Sequence, residues 1–409
     1  MPSASRSDPR LIGWLSLAQL ISWGSVFYTF ALLMEPIEVE LGLTRADASL
    51  AFSLALLAEG LLAWPVGRLI DQGHERAVMT GGSLLLAACL ALHSAIHSVT
   101  GFYAVWLGLG VGLAATLYPP AFAVVIRRFP HDFRRAIITI TFLGGLASTV
   151  FIPLSAWLIA SLGWRHALQI LALIHLLLCA PLHAQVLRHA PAGQVSAPHG
   201  GRPPTSLKQP LLSAPFWLVG TFIVLLMGVT AALPAHMVSL LRGNDLPPAW
   251  VIVVPSAIGL LQVLGRLLLY FFERHADLHL ANRLIPCLIP LGLLALLSAP
   301  WFGVHQIALV LLFVLLYGMG NGMLTIVKGT AIAQYVDRHQ AASLNGALGV
   351  PIALSRAAGP WLLGLLWQPN GGYARGLWLL LGLSLLGVAA LIGAQKLAHQ
   401  GHHASERLR

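Results

Sequence analysis

The sequence predicts an all-α membrane protein of twelve transmembrane helices in two six-helix repeats, and two observations carry that expectation. Of the 409 residues, 57% are hydrophobic and only 9% charged, whereas a soluble domain carries about 25% charged residues. The apolar residues also fall into runs of roughly 20, the length at which a helix crosses a ~30 Å hydrocarbon layer with its backbone satisfied internally. The alternating pattern of a transmembrane β-barrel is absent from runs such as Leu11 to Met34 or Gly376 to Ala394.

Hydropathy places the first six spans at 11–34, 47–70, 77–97, 101–126, 136–160 and 165–187. Span 1 contributes the polar residues Gln19, Ser22, Tyr28 and Thr29. Only ten residues precede it and no small-residue cleavage site follows a short apolar core, so it is expected to be retained rather than removed as a signal. Span 2 carries Glu59 and ends in Gly67-Arg68-Leu69, and span 4 holds Tyr118 beside the helix-distorting pair Pro119-Pro120. Cys89, Cys179 and Cys287 sit in three different apolar runs without metal or redox spacing, as packing thiols do.

The stretch Arg188 to Ser213 is rich in Pro, Gly, Ser and His and too polar to form a core. It divides the chain into an N-terminal half at 1–190, a cytoplasmic linker at 191–213 and a C-terminal half at 214–409. The second set of spans follows at 214–241, 249–272, 280–299, 304–333, 341–367 and 373–396. Two strings recur between the halves. Gly108-x-Gly110-x-Gly112, followed by Tyr118, returns 210 residues later as Gly318-x-Gly320-x-Gly322, followed by Lys328; Gly67-Arg68-Leu69 returns as Gly265-Arg266-Leu267. Six-span repeats related by an axis along the membrane normal place a substrate site between them near the midplane.

The net charge of +10 does not indicate a nucleic-acid partner, because the basic residues are scattered between apolar runs. With the N-terminus inside, eighteen of the 24 Lys and Arg face the cytoplasm, four face outward and two lie within spans. The positive-inside rule therefore puts both termini in the cytoplasm, in the inner membrane.

Between spans 2 and 3 the chain reads Gly67-Arg68-Leu69-Ile70-Asp71-Gln72-Gly73-His74-Glu75-Arg76. This resembles the signature G-x-L-x-D-R-x-G-R-R of the major facilitator superfamily, retaining Gly67, Leu69, Asp71 and Arg76. It departs from the pattern at Gln72, at the early Gly73 and at Glu75. The resemblance implies a secondary transporter in which Gly67, Asp71 and Arg76 gate conformational exchange, Asp71 acting against the eleventh helix with Arg76 as its charged partner. A weaker likeness to the monocarboxylate and oxalate/formate branch lies in Gly265-Arg266, in Arg127 to Arg135 and in Gly144-Gly145; it implies that Arg266 binds a carboxylate.

A charge within a span costs at least about 2.5 to 3.5 kcal/mol and calls for a partner, a cavity or a function. Lys328 shares a helix face with Asn321 and Thr325, a polar stripe suited to a wet cavity, although its long stem also permits snorkelling. Arg266 follows Ser256, Gly259 and Gln262 on a similar stripe, where a headgroup anchor is the competing reading. These residues, with Gln19, Tyr28 and Tyr118, form the expected substrate site. Glu59 and Arg356 lie near the middle of spans 2 and 11, which pack together in the family fold; they are read either as a proton-coupling pair or as a static ion pair.

His175, His183 and His236 lack metal-ligand spacing, and no nucleotide loop or hydrolase motif is present, so no metal, no cofactor, no enzyme activity and no ATP coupling are expected. Three cations against one buried acid imply an anionic solute moved with protons across the bilayer. A broad-specificity drug or metabolite exporter is the alternative.

Overall fold

The computed structural model describes residues 9–129, 133–188, 208–244, 246–272, 278–337 and 340–406. Among them every regular element is helical, apart from one isolated bridge between Gln368 and Gly372. Among the described residues eleven helices are long and apolar enough to cross a membrane. The eleventh predicted span adds a twelfth: it is built from Ala341–Ala347 and Gly349–Leu365, interrupted at Leu348. Most of the linker, residues 191–207, lies outside the described residues; its end forms the single turn Lys208–Leu211. Ser213 then caps span 7, its hydroxyl accepting from the Phe216 amide at 3.3 Å.

The observed spans agree with the hydropathic ones except where charge conceals helix. Span 1 runs from Pro9 to Leu41, well beyond 34, because its last turns carry Glu35, Glu38 and Glu40 and stop only at Gly42, whose φ is 65°. Span 2, Arg45–Asp71, opens with a capping box in which Thr44 and Asp47 satisfy each other's backbone donors. Outward-facing side chains such as Trp64, Leu177 and Trp217 are large and apolar, as a lipid-covered surface requires.

The chain packs as two compact units, Met1–His199 with Pro234–Ser239, and Gly200–Leu233 with Leu240–Arg409. In the first unit Phe30, Phe52, Phe102 and Trp106 form a fully buried aromatic core, Phe30 and Phe52 stacking at 4.6 Å. Its helices are irregular. Span 1 contains a π-helix at Trp23–Tyr28 and span 6 another at His175–Cys179. Span 4 breaks between Val99–Thr116 and Tyr118–Arg128, because Leu117 is extended and Pro119 and Pro120 start the second piece. In the C-terminal half spans 7 (Ala214–Arg242), 8 (Pro248–Phe272), 10 (Gln306–Tyr335) and 12 (Ala374–Glu406) are continuous α-helices.

The two glycine triplets are both contact points, but in opposite phase. A methyl group on Gly110 would collide with the Ala55 carbonyl of span 2, while Gly108 and Gly112 face Cys89 and Leu86 of span 3. In the second unit Gly318 and Gly322 face span 8, through Leu261 and the Gln262 carbonyl, and Gly320 faces Leu288 of span 9. The corresponding contacts match only when one string is shifted by two residues against the other, as when Gly110 is paired with Gly322 and Gly108 with Gly320, so the repeat offset is not 210. Lys328 is therefore not the counterpart of Tyr118. Gly67 and Gly265 are not counterparts either, since a side chain at Gly67 meets nothing while Gly265 packs on the Met319 backbone.

Candidate solute site

Span 10 carries the central cation of the second unit. Lys328 is half-buried, and its ammonium donates to the thioether of Met227 on span 7 at 2.7 Å. Sulfur is a weak acceptor, and an ammonium has three donors. No carboxylate pairs with Lys328 among the described residues. Sequence explains why: the acids of this half are Asp245, Glu273, Asp277, Asp337 and Glu406, none of them within the core of a span.

Arg266 and Arg356 are also half-buried, and both guanidinium charges bear on the Lys328 ammonium. Arg266 Nε donates to the Gly322 carbonyl at 3.4 Å, which also accepts from the Thr325 hydroxyl at 2.7 Å. One backbone oxygen of span 10 thus anchors two of the expected site residues. Asn321 is half-buried and Gln262 buried on the facing spans. Beside Arg356, the Ser355 hydroxyl ties span 11 to span 7 through the Val224 carbonyl at 2.7 Å.

In the first unit the expected site residues are neutral. Gln19 is fully buried, and its amide donates at 2.5 Å to the Thr116 carbonyl, which the break in span 4 leaves without a helical partner. Tyr118, just past the break, is half-buried between the rings of Trp23 at 5.2 Å and Phe122 at 5.3 Å. Tyr28 is half-buried at the end of the π-helix, against Phe27. Glu59 is buried in span 2, in the first unit, while Arg356 belongs to the second.

The expected gating residues sit at the Arg-rich end of the first unit. Asp71 is the exposed last residue of span 2. Arg76 is also exposed and donates to the Ala184 carbonyl of span 6 at 2.7 Å, and no Asp71 to Arg76 ion pair occurs among the described residues.

Sequence reasoning missed a group beside them. Glu75, first residue of span 3, is fully buried and binds Arg127 at 3.3 Å and Arg128 Nε at 2.6 Å, while Arg127 also reaches the Ile70 carbonyl. The signal was present: an acid standing where the signature has an arginine, and two adjacent arginines closing span 4. The equivalent corner of the second unit is uncharged on span 10. Asn282 donates to Gln334 at 2.7 Å and to the Tyr335 hydroxyl at 2.8 Å; Gln395 donates to the same hydroxyl at 3.1 Å and accepts from Arg283 at 2.6 Å. His175 and His183, which lack metal-ligand spacing, are fully buried core residues bonded to Ser25 and Ser83 respectively.

A profile of the Major Facilitator Superfamily matches residues 15–360. The chain is 28% identical over 378 residues to the 2-nitroimidazole transporter of Escherichia coli (strain K12), covering 88% of this chain and 86% of that protein. It is 31% identical over 314 residues to monocarboxylate transporter 13 of Bos taurus, covering 71% and 69%. Among solved structures it resembles a variant of the nucleoside transporter NupG with a TM-score of 0.71 at 16% identity, over 94% of this chain and 99% of that one.

Proposed function

The chain belongs to the Major Facilitator Superfamily, and from that premise we propose that it is a secondary active transporter moving a small organic anion across the cytoplasmic membrane by alternating access, coupled to protons. The observation that carries the anion assignment is Lys328, an intramembrane ammonium whose partner is a thioether, in a half whose spans contain no acid in their cores. Two guanidinium groups add to the positive field there. Such a field is costly unless something negative enters, and a carboxylate accepts charge-assisted hydrogen bonds from ammonium and guanidinium groups. The monocarboxylate name of the bovine relative supports the same class.

In this reading Lys328 and Arg266, with Asn321, Thr325 and Gln262, hold the carboxylate, while Gln19, Tyr28 and Tyr118 meet the rest of the solute. Glu59 carries the coupling proton, with Arg356 as its ionic partner in one state, and Gly67, Asp71 and Arg76 gate exchange. Eighteen basic residues against four support cytoplasmic termini. Broad-specificity export of drugs or metabolites is the second reading, favoured by the nitroimidazole named for the bacterial relative.

Uptake of radiolabelled acetate, lactate and benzoate into proteoliposomes, against 2-nitroimidazole as the neutral comparison, separates the two. Lys328→Met and Arg266→Gln are each expected to weaken binding of the transported anion by more than about 1.5 kcal/mol. If 2-nitroimidazole is moved and none of the anions is, or if neither substitution alters anion affinity, the anion assignment fails.

A further inference from the structure

The π-helices of spans 1 and 6 meet at a single hydrogen bond. Ser25 Oγ lies 2.7 Å from His175 Nε2 and 2.7 Å from the Ile21 carbonyl. A hydroxyl has one proton and a carbonyl only accepts, so Ser25 donates to Ile21 and His175 Nε2–H donates to Ser25. His175 Nδ1 is then the bare nitrogen, and it is buried without a hydrogen-bond partner. A fully buried imidazole held in one tautomer by one hydroxyl is an expensive way to fill space, for which Leu would serve.

The bond is made within the π-helical turn of span 1. The Thr29 amide reaches back five residues to the Gly24 carbonyl at 3.2 Å, and the Thr29 hydroxyl donates to the same oxygen at 2.9 Å. Thr29 is in turn 2.8 Å from Ser155 of span 5. The segment therefore holds an extra residue per turn between Ser25 and Thr29. Relaxing it to the 3.6-residue turn advances everything after it by about one residue, roughly 100°. Tyr28, half-buried, would leave its present face, and the buried Phe27 would take that place. The corresponding spans 7 and 12 are plain α-helices.

We propose that His175 is a positioning residue for the solute site: through Ser25 it holds span 1 in its π-helical register and so fixes which face Tyr28 presents. The inference rests on the reading that Tyr28 meets the solute, but its test does not depend on any solute. In a Cys287→Ser background, Tyr28→Cys and Phe27→Cys are labelled separately with a membrane-impermeant maleimide in detergent-solubilised protein. Adding His175→Leu is expected to lower labelling at position 28 at least threefold and raise it by a similar factor at 27. His175→Gln, whose Nε2 can replace the imidazole donor, is expected to restore the original pattern, and Ser25→Ala to reproduce His175→Leu. Unchanged labelling at both positions overturns the proposal. A rise at both means local unfolding rather than a change of register, and overturns it as well. The separate affinity test of Lys328→Met shows whether the anion reading has failed on its own account.

Discussion

The two halves share a plan and solve different problems with it. The N-terminal half is irregular in backbone and neutral at its expected solute residues: two π-helices, a broken span 4, and Gln19, Tyr28 and Tyr118. The C-terminal half keeps spans 7, 8, 10 and 12 continuous and concentrates cations at Lys328, Arg266 and Arg356. Glu59 and Gln262 show the contrast in kind. Each lies fourteen residues after the first residue of its helix, Arg45 or Pro248, and both are buried. Span 2 thus buries an acid where span 8, at a similar distance along its helix, buries an amide. The irregular helices carry the neutral expected residues, the cations stand on spans 8, 10 and 11, and the glycine-mediated packing of spans 2 on 4 and 8 on 10 is common to both halves.

The sharpest way to break this comparison is to make the halves alike. Glu59→Gln is expected to abolish accumulation of labelled anion driven by a pH gradient while leaving counterflow intact, because a neutral amide still permits exchange but carries no proton. If the variant concentrates solute under the gradient, the difference between Glu59 and Gln262 has no part in coupling. At the Arg-rich corner, Glu75→Ala strands two arginines beside a buried void and is expected to cost about 3 to 5 kcal/mol in unfolding measurements in mixed micelles. Asn282→Ala, in the equivalent corner of the other half, loses neutral hydrogen bonds and is expected to cost about 1 to 3 kcal/mol in the same measurement. Equal costs would mean that the ion-paired acid of one corner holds it no more strongly than the neutral amide of the other. The smallest effect on folding is expected for Asp71→Asn, an exposed site: normal thermal stability with slowed transport, read from initial uptake rates. An unchanged rate would remove Asp71 from the gate.

Most of the span layout was legible because each span is a long apolar run, and length and hydropathy are additive along the chain. What hydropathy averages away was not legible. The acidic turns of span 1 hide helix that extends to Leu41, and a π-helix depends on which carbonyl an amide reaches, which composition does not encode. Pro119-Pro120 did announce the break in span 4, since proline leaves a steric mark on the residue before it. The glycine repeat misled for a geometric reason. Residues two apart in a helix lie about 200° apart, so a shift of two leaves the string nearly unchanged while exchanging the faces it covers. Of the expected site, the intramembrane cations stood out as isolated charges. Glu75 was read only as a departure from a motif, because its partners lie more than fifty residues away on another helix.

The cluster of positive charge around Lys328 also has an electrical consequence. Displacing one elementary charge through a membrane potential of 100 mV is worth about 2.3 kcal/mol. On the proposed anion reading, wherever the unloaded carrier moves Lys328, Arg266 and Arg356 through part of that field, the voltage acts on all three; a bound carboxylate cancels one unit of charge and the proton taken up by Glu59 restores it. Loaded and empty carriers then bear the same charge, and the potential favours neither half of the cycle. Clamping the voltage of proteoliposomes with potassium and valinomycin should therefore leave the accumulation ratio of the anion unchanged.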